Sequence, residues 1–324
     1  MSEVENVFIV EELDPFIEEH VRALGENPVG TELVPRIGEL NPDILLDARA
    51  HLASRGILDM DTPKASKMKL KQDFPLPARP PVLCPGCAHR GVFYTLKQFN
   101  PVIIGDIGCY SLGGLAPLDS MDAIICMGAG VSTAMGVAKS GLDRPVVGIV
   151  GDSTFFHSGI TGLLDIGYNN GNLTIIVLDN RVTAMTGHQQ NPGTGITLSG
   201  ERGFQARIEK FAEASGINRI RVFDPYDLAQ TAEVMKEELH RGQASILISR
   251  RPCVLIEKNE EFTLYSVDAE TCRACGKCLK LGCPAIEKKN NADGKWVAFI
   301  NQTLCTGCSV CAQVCPFDAI GESK

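Results

Sequence analysis

Thiols at two-residue spacing crowd the end of the chain. Eight of the thirteen cysteines lie between 272 and 315, in two runs. The first is Cys272-x2-Cys275-x2-Cys278-x4-Cys283-Pro284, the second Cys305-x2-Cys308-x2-Cys311-x3-Cys315-Pro316. Such spacing lets three thiolates converge on one [4Fe–4S] cubane, while the fourth cysteine of each run crosses to the other cluster. Cys272, Cys275, Cys278 and Cys315 are thereby expected on one cluster, and Cys305, Cys308, Cys311 and Cys283 on the second. A structural zinc ion favours four ligands in two pairs, not two triplets each closed by Cys-Pro. The Ala285-Ile286 and Ala319-Ile320 pairs are placed to pack over the clusters. The extra residue before Cys283 breaks the x3 spacing and predicts a less regular geometry there. Two clusters held this close suit the passage of single electrons.

A second group of residues offers oxygen rather than sulfur. Gly151-Asp152-Ser153 follows an apolar run at 146–150, and Asp179-Asn180 follows another at 173–178, with 25 residues between the triplet and the doublet. Both lie where parallel strands of an open α/β sheet end, the edge at which such sheets bind ligands. A carboxylate, an amide oxygen and a backbone carbonyl make a hard site for Mg²⁺, which prefers to share its ligands with phosphates. Gly151 allows close backbone approach. Two ordinary strand-end turns would look similar, since short motifs carry real false-positive risk.

The elements that position these groups read plainly. Strands are expected at Val102–Ile104, Val146–Val150, Leu173–Leu178, Ile220–Phe223 and Ile246–Ile248, with helices at 88–99, 129–140, 158–169, 204–215 and 228–240. Apolar strands alternating with helices predict an α/β domain whose parallel sheet is covered by helices on both faces. Residues 83–258 form this domain, and 261–324 a small α+β domain holding both clusters. Residues 57–82, rich in Lys and Pro, read as a linker. Residues 6–24 read as one strand, Val7-Phe8-Ile9-Val10, and one helix through Phe16, Ile17, Val21 and Leu24.

Bulk composition sets the class. The chain has 324 residues, 44% of them hydrophobic, and a net charge of −8. Residues 1–60 hold thirteen acids against four arginines. With no basic run interleaved with aromatics, nucleic acid is not an expected partner. No stretch nears the roughly 18 apolar residues of a membrane span, so no membrane partner is expected either. Without an export signal, clustered thiols fit metal ligation in a reducing, cytoplasmic setting better than disulfides.

The strand-end motif resembles the thiamine diphosphate (TPP) signature GDG-x(24–27)-NN, with Ser153 for the last Gly and Asp179 for the first Asn. The resemblance implies Mg²⁺ held by Asp152, Asn180 and the Val182 carbonyl, with Gly151, Ser153, Met185 and Thr186 also at the cofactor. Cys84-Pro-Gly-Cys87-Ala-His89, Gly105-Asp-Ile-Gly-Cys109-Tyr110, Gly151-Asp-Ser and Asn180 through Gln189 follow one another as in 2-oxoacid:ferredoxin oxidoreductases. The whole chain, from Phe8-Ile-Val-Glu-Glu-Leu-Asp-Pro to the ferredoxin-type tail, resembles the large (alpha) subunit family of the indolepyruvate-specific members. That family's large subunit is about twice as long. Residues 1–56 are therefore expected to be the remnant of a transketolase-C-like domain.

The resemblance implies oxidative decarboxylation of an arylpyruvate such as indolepyruvate, with coenzyme A taking the acyl group and ferredoxin the electrons. It also implies a beta subunit and a separate polypeptide supplying the TPP pyrimidine-binding domain and its activating glutamate; without them the chain is expected not to turn over. Cys84, Cys87, Cys109 and Cys253 stand in the order of the proximal-cluster ligands of related enzymes. They are either ligands of a third [4Fe–4S] cluster or buried and free thiols. Cys126 reads as core. His157 is the candidate catalytic histidine, able to handle protons near neutrality; His89 and His188 flank the cofactor loops, and His20, His51 and His240 read as surface. Gly128-x-Gly130-x5-Gly136 reads as close helix packing rather than a dinucleotide fingerprint. Rival functions are a non-redox TPP decarboxylase, which would release no electrons, and a non-catalytic electron-transfer subunit with a vestigial TPP site.

Overall fold

The structure is a computed structural model that describes residues 4, 6–58, 79–257, 263–291 and 293–323. It divides into two compact units, Met1–Ala78 and Arg79–Lys324. Most of the expected linker, 59–78, lies outside the described residues.

The first unit carries helices α1 (Phe16–Ala23) and α2 (Pro42–Ser54). The carboxylate of Glu11 accepts the backbone N–H of Ile17 and Glu18 at 2.8 and 3.0 Å, satisfying donors that a helix start leaves free. Asn41 caps α2 through Ile44 N–H at 3.1 Å, with Pro42 at its first position. The Val7–Val10 run does not form a strand of a sheet. It makes one parallel bridge, Phe8 to Val29, because the chain turns at Glu11 to cap α1. Helix α2 was not foreseen: Leu45 and Leu46 are 41% and 38% exposed, so its apolar positions trace no clean stripe.

The second unit opens with α3 (His89–Leu96), continued by a 3₁₀ turn over Lys97–Phe99. Then come β1 (Val102–Gly105), a 3₁₀ segment Cys109–Gly114, β2 (Ala123–Ile124), α4 (Ala129–Lys139) and β3 (Val146–Gly151). A short turn α5 (Asp152–Thr154) and a π-turn over Phe155–Gly159 lead into α6 (Ile160–Tyr168), β4 (Thr174–Asp179), α7 (Ile208–Ala214) and β5 (Ile220–Phe223). Helix α8 (Leu228–Glu238) and β6 (Ser245–Arg250) complete the sheet, whose order is β2-β1-β3-β4-β6-β5, every pairing parallel.

Side-chain alternation explains why the inner strands β1, β3, β4 and β6 are mainly apolar on both faces. Val102, Val146, Val150, Ile175, Val177, Ile246 and Ile248 point into one core with α4, α6 and α7. Ile103, Val147, Ile149, Ile176, Leu178 and Leu247 point into the other with α3 and α8. A strand covered on both faces has no polar side to present.

The same unit contains the cysteine runs. Strand β7 (Tyr265–Val267) pairs antiparallel with β10 (Ile320–Glu322), and β8 (Ile286–Asn290) with β9 (Trp296–Ile300); between them lie a 3₁₀ turn Cys278–Leu281 and α9 (Val310–Gln313). The duplication is visible in the backbone. Ala274 and Gly276 flank Cys275 with φ of 54° and 72°, and Gly307 and Ser309 flank Cys308 with 72° and 60°. The fold is the expected one: a helix-covered parallel sheet followed by a small α+β domain.

Candidate functional site

At the C-terminal ends of β3 and β4 a cavity of about 540 Å³ is lined by Gly151, Asp152, Ser153, Asn180, Val182, Met185 and Thr186, together with His89, Cys109 and Tyr110. All seven residues expected at the cofactor thus share one wall. Tight packing sets its shape. A Cβ on Gly151 would come within 2.5 Å of Tyr110 Cε1, so the glycine makes room for the tyrosine ring. Ser153, standing where the signature has Gly, accepts a hydrogen bond from Thr183 Oγ1 at 2.8 Å and ties the two loops together.

The two buried acids of this edge differ. Asp179 is paired with Arg250 at 2.7 Å and Arg181 at 3.4 Å. Asp152, 3% exposed, has no cationic partner among the described residues. Its one side-chain partner is Asn191 Nδ2, which donates to Oδ2 at 2.9 Å. Burial, with repulsion from Asp179, pushes its carboxyl up to about 7 against the softening bond from Asn191. An unpaired buried carboxylate beside a strand-end cavity fits a divalent cation, which would restore its charge balance. Asn180, also buried, folds its amide oxygen onto Val182 N–H at 3.3 Å. Asn191 was missed in the sequence because it lies on a returning loop, 39 residues from Asp152.

The cysteine runs surround two further cavities. Cys283, Cys305, Cys308 and Cys311 line one of about 470 Å³, together with Ala285 and Ile286. Cys272, Cys275, Cys278 and Cys315 line the other, of about 340 Å³, together with Ala319 and Ile320. The fourth cysteine of each run therefore sits with the opposite triplet, and each Ala-Ile pair covers one cavity. Among the described residues no three His, Cys, Asp or Glu converge closely enough to hold a single ion. The thiols stand around a space, and this all-sulfur set in apolar walls fits a cubane.

Between the cavities lies a junction. Arg90, 4% exposed, donates to the carbonyls of Leu83 and Cys84 at 2.7 and 3.0 Å and to that of Leu281 at 2.6 Å. It joins the Cys84–Cys87 loop to the turn before Cys283. Tyr226 donates to the Gly86 carbonyl, and Gln313 bridges Tyr226 O and Leu228 N–H at 2.7 and 3.0 Å. Cys87 also lines the larger cysteine cavity. Burial pushes its thiol up to about 12, against the pull of the His89 N–H and of Arg90, with smaller repulsions from Cys84 and Cys109.

Cys84 and Cys109 each lie within electrostatic reach of Cys87 and of Cys253. Burial raises Cys109, with repulsion from Cys253 and Cys84 added, and burial likewise raises Cys253, which also feels Cys84. Cys253 N–H donates to the Asn180 carbonyl at 3.0 Å, so the loop after β6 holds this thiol beside the oxygen site.

Two expectations are corrected. Cys126 is exposed, not core: it follows the two-residue edge strand β2, with Ile125 and Met127 64% and 49% exposed. His157 is exposed on the π-turn and does not line the cavity. The histidine on that wall is His89, which burial pushes down to about 4 and so keeps neutral. The Gly128-x-Gly130 spacing is the expected close packing, since a Cβ on Gly130 would lie 2.8 Å from the Ile149 carbonyl oxygen; the Asp106 carboxylate accepts both glycine N–H groups at 3.0 and 2.9 Å.

Comparison with known proteins agrees with this division. Residues 106–249 match the thiamine pyrophosphate enzyme, C-terminal TPP binding domain, and residues 264–320 match the 4Fe–4S dicluster domain. Indolepyruvate oxidoreductase subunit IorA of Archaeoglobus fulgidus is 35% identical, covering 100% of this chain and 53% of that relative. The subunit of the same name from Pyrococcus horikoshii is 38% identical, covering 99% and 53%. Among solved structures, the 2-oxoglutarate:ferredoxin oxidoreductase from Magnetococcus marinus overlays with a TM-score of 0.48 and 20% identity, over 56% of this chain and 67% of that one. Over its whole length the chain is similar to the indolepyruvate oxidoreductase subunits IorA, and it spans about half the length of the curated relatives it matches.

Proposed function

We propose that this chain is the diphosphate-binding and electron-carrying part of a TPP-dependent oxidoreductase that converts an arylpyruvate and coenzyme A to an arylacetyl-CoA and CO₂. Indolepyruvate is the substrate of choice, and the two electrons released pass to ferredoxin. The observation that carries this is the pairing, within one compact unit, of a buried unpaired carboxylate at a strand-end cavity with two cavities, each lined by four cysteines of the two runs. Asp152, Asn180 and the Val182 carbonyl would hold Mg²⁺ and through it the diphosphate, while Asn191 aims the carboxylate. When bound, TPP supplies an electron sink for decarboxylation, and the clusters take electrons singly.

Tyr110 and His89, both on the cavity wall, would face the cofactor as neutral groups, since burial holds the phenol protonated and pushes the imidazole down to about 4. Cys84, Cys87, Cys109 and Cys253 would hold a third cluster between that cavity and the one lined by Cys283, Cys305, Cys308 and Cys311, since Cys109 faces the first and Cys87 the second. The thiol-rich chain would work in the cytoplasm, together with a beta subunit and a polypeptide bearing the pyrimidine-binding domain. An anaerobic assay of that assembly tests the reading: indolepyruvate, coenzyme A, TPP and Mg²⁺ should reduce ferredoxin. Reduction driven only by an aliphatic 2-oxoacid would reassign the substrate, and none with any 2-oxoacid would leave an electron-transfer subunit.

A further inference from the structure

The two cysteine cavities face different surroundings. The one holding Cys308 abuts Gly86, Cys87 and Arg90. The other faces outward: Cys275 is exposed, and Phe317 on its wall is 43% exposed. An electron leaving the chain for a diffusing carrier would leave there. The charges of this region are segregated. Every Lys and Arg of the described residues 263–323 falls between 273 and 295, six cations against the two acids Glu287 and Asp293. All six are exposed, in a chain whose net charge is −8.

Arg273 and Lys277 line the outward cavity itself. Lys288 Nζ lies 5.0 Å from the ring centre of Trp296, which also lines it, and Lys289 Nζ lies 3.2 Å from that of Phe299. Among the described residues none of these four cations makes an ion pair, although ion pairs are frequent elsewhere in the chain. Aromatic faces hold the lysine heads without neutralising them.

We propose that this rim docks a small acidic one-electron carrier protein, guided by charge to the exposed edge at Cys275. The inference rests on reading the outward cavity as a cluster site and gives that reading an exit. A basic collar on an otherwise acidic molecule orients an acidic partner as well as attracting it, and repels basic carriers.

The test uses the full chain loaded with iron and sulfide, reduced photochemically without 2-oxoacid, and mixed in stopped flow with an oxidised acidic [2Fe–2S] ferredoxin or with cytochrome c, a basic carrier. The bimolecular rate with ferredoxin should fall by about tenfold or more as ionic strength rises, and that with cytochrome c should not fall. Lys277→Glu with Lys288→Glu should slow ferredoxin about tenfold at low salt with an unchanged cluster spectrum. Lys288→Glu alone, outside the cysteine loops and over the Trp296 ring of the cavity wall, should slow it in the same direction and gives the answer should the first pair lose iron. An intact spectrum with a ferredoxin rate indifferent to salt and to both variants overturns the docking surface alone. A chain with no iron–sulfur absorption before mixing overturns the cluster reading, and the docking surface with it.

Discussion

Asp152 and Asp179 are the same residue type at the ends of adjacent strands, and their surroundings give them opposite work. Arg250 and Arg181 neutralise Asp179, which then braces the end of the sheet. Asp152 has only the Asn191 amide, and its carboxyl sits at about 7 instead of its ordinary 3.8. Without metal, the folded chain keeps a proton that the unfolded chain gives up above pH 3.8. The stability Asp152 contributes is therefore largest at acid pH and is lost as pH rises towards 7. A divalent cation needs the ionised form, so Mg²⁺-dependent TPP affinity should climb about tenfold per pH unit up to 7 and flatten above it. Titration calorimetry on either side of pH 7 checks this; a flat profile in the unmodified chain would place the metal elsewhere. Asp152→Asn should bind TPP weakly at every pH, with its cluster absorption untouched. Asn191→Ala, which frees the carboxylate to swing, should cost about 10–100-fold in metal affinity.

At the scale of elements, the feature that looked irregular in the sequence is a joint. The additional residue between Cys278 and Cys283 is taken up by the 3₁₀ turn Cys278–Leu281 and by Gly282 at φ 65°. That turn presents the Leu281 carbonyl to Arg90. Arg90→Met would leave three carbonyls without their charged donor, and each such bond is worth about 1.5–3 kcal/mol. The melting temperature of the loaded protein should fall accordingly. Arg90→Lys should recover only part of the loss, because one ammonium cannot reach carbonyls on both sides as a guanidinium fork does. A Met variant as stable as the parent would show that the joint is held by Tyr226 and Gln313 instead. Gly282→Ala should also destabilise: a left-handed residue costs about 1–2 kcal/mol once it carries a Cβ, and that atom would lie 2.7 Å from Pro117 Cδ.

For the whole molecule the question is how many clusters are held, and by which thiols. Anaerobic reconstitution should give about eight irons per chain, or about twelve with the third site filled, at four per cubane. Cys253→Ser should remove the last four; their persistence would exclude Cys253 as a ligand. Crossed ligation has a sharper consequence. Cys272→Ser with Cys315→Ser should lose about four irons, because both serve one cubane, whereas Cys272→Ser with Cys283→Ser should lose about eight. The reverse pattern would mean that each run binds its own cluster, against the lining of the two cavities.

Spacing along the chain by itself determined the chemistry that depends on local geometry. The two cysteine triplets, the Gly151-Asp152-Ser153 turn and the apolar strands β1, β3, β4 and β6 are legible because their residues are neighbours, or because burial on both faces leaves a continuous apolar run. The strand at Ile220–Phe223 and the helices at 129–139 and 228–238 lie within a residue or two of where periodicity puts them. What needed the tertiary structure were the facts set by chain segments far apart. Only the fold brings Asn191 to Asp152 and Arg250 to Asp179, and so separates the free carboxylate from the paired one. Only the sheet order leaves β2 at an edge, and so turns the apolar run around Cys126 outward. The π-turn swings His157 away from the cavity while α3 brings His89 into it from the other side of the sheet. The basic residues between 273 and 295 balance against acids in a composition count of the tail; folding puts Arg273 and Lys277 on the wall of the cavity with the exposed Cys275 and brings Lys288 to Trp296 on the same wall, where charge is felt by position and not by sum.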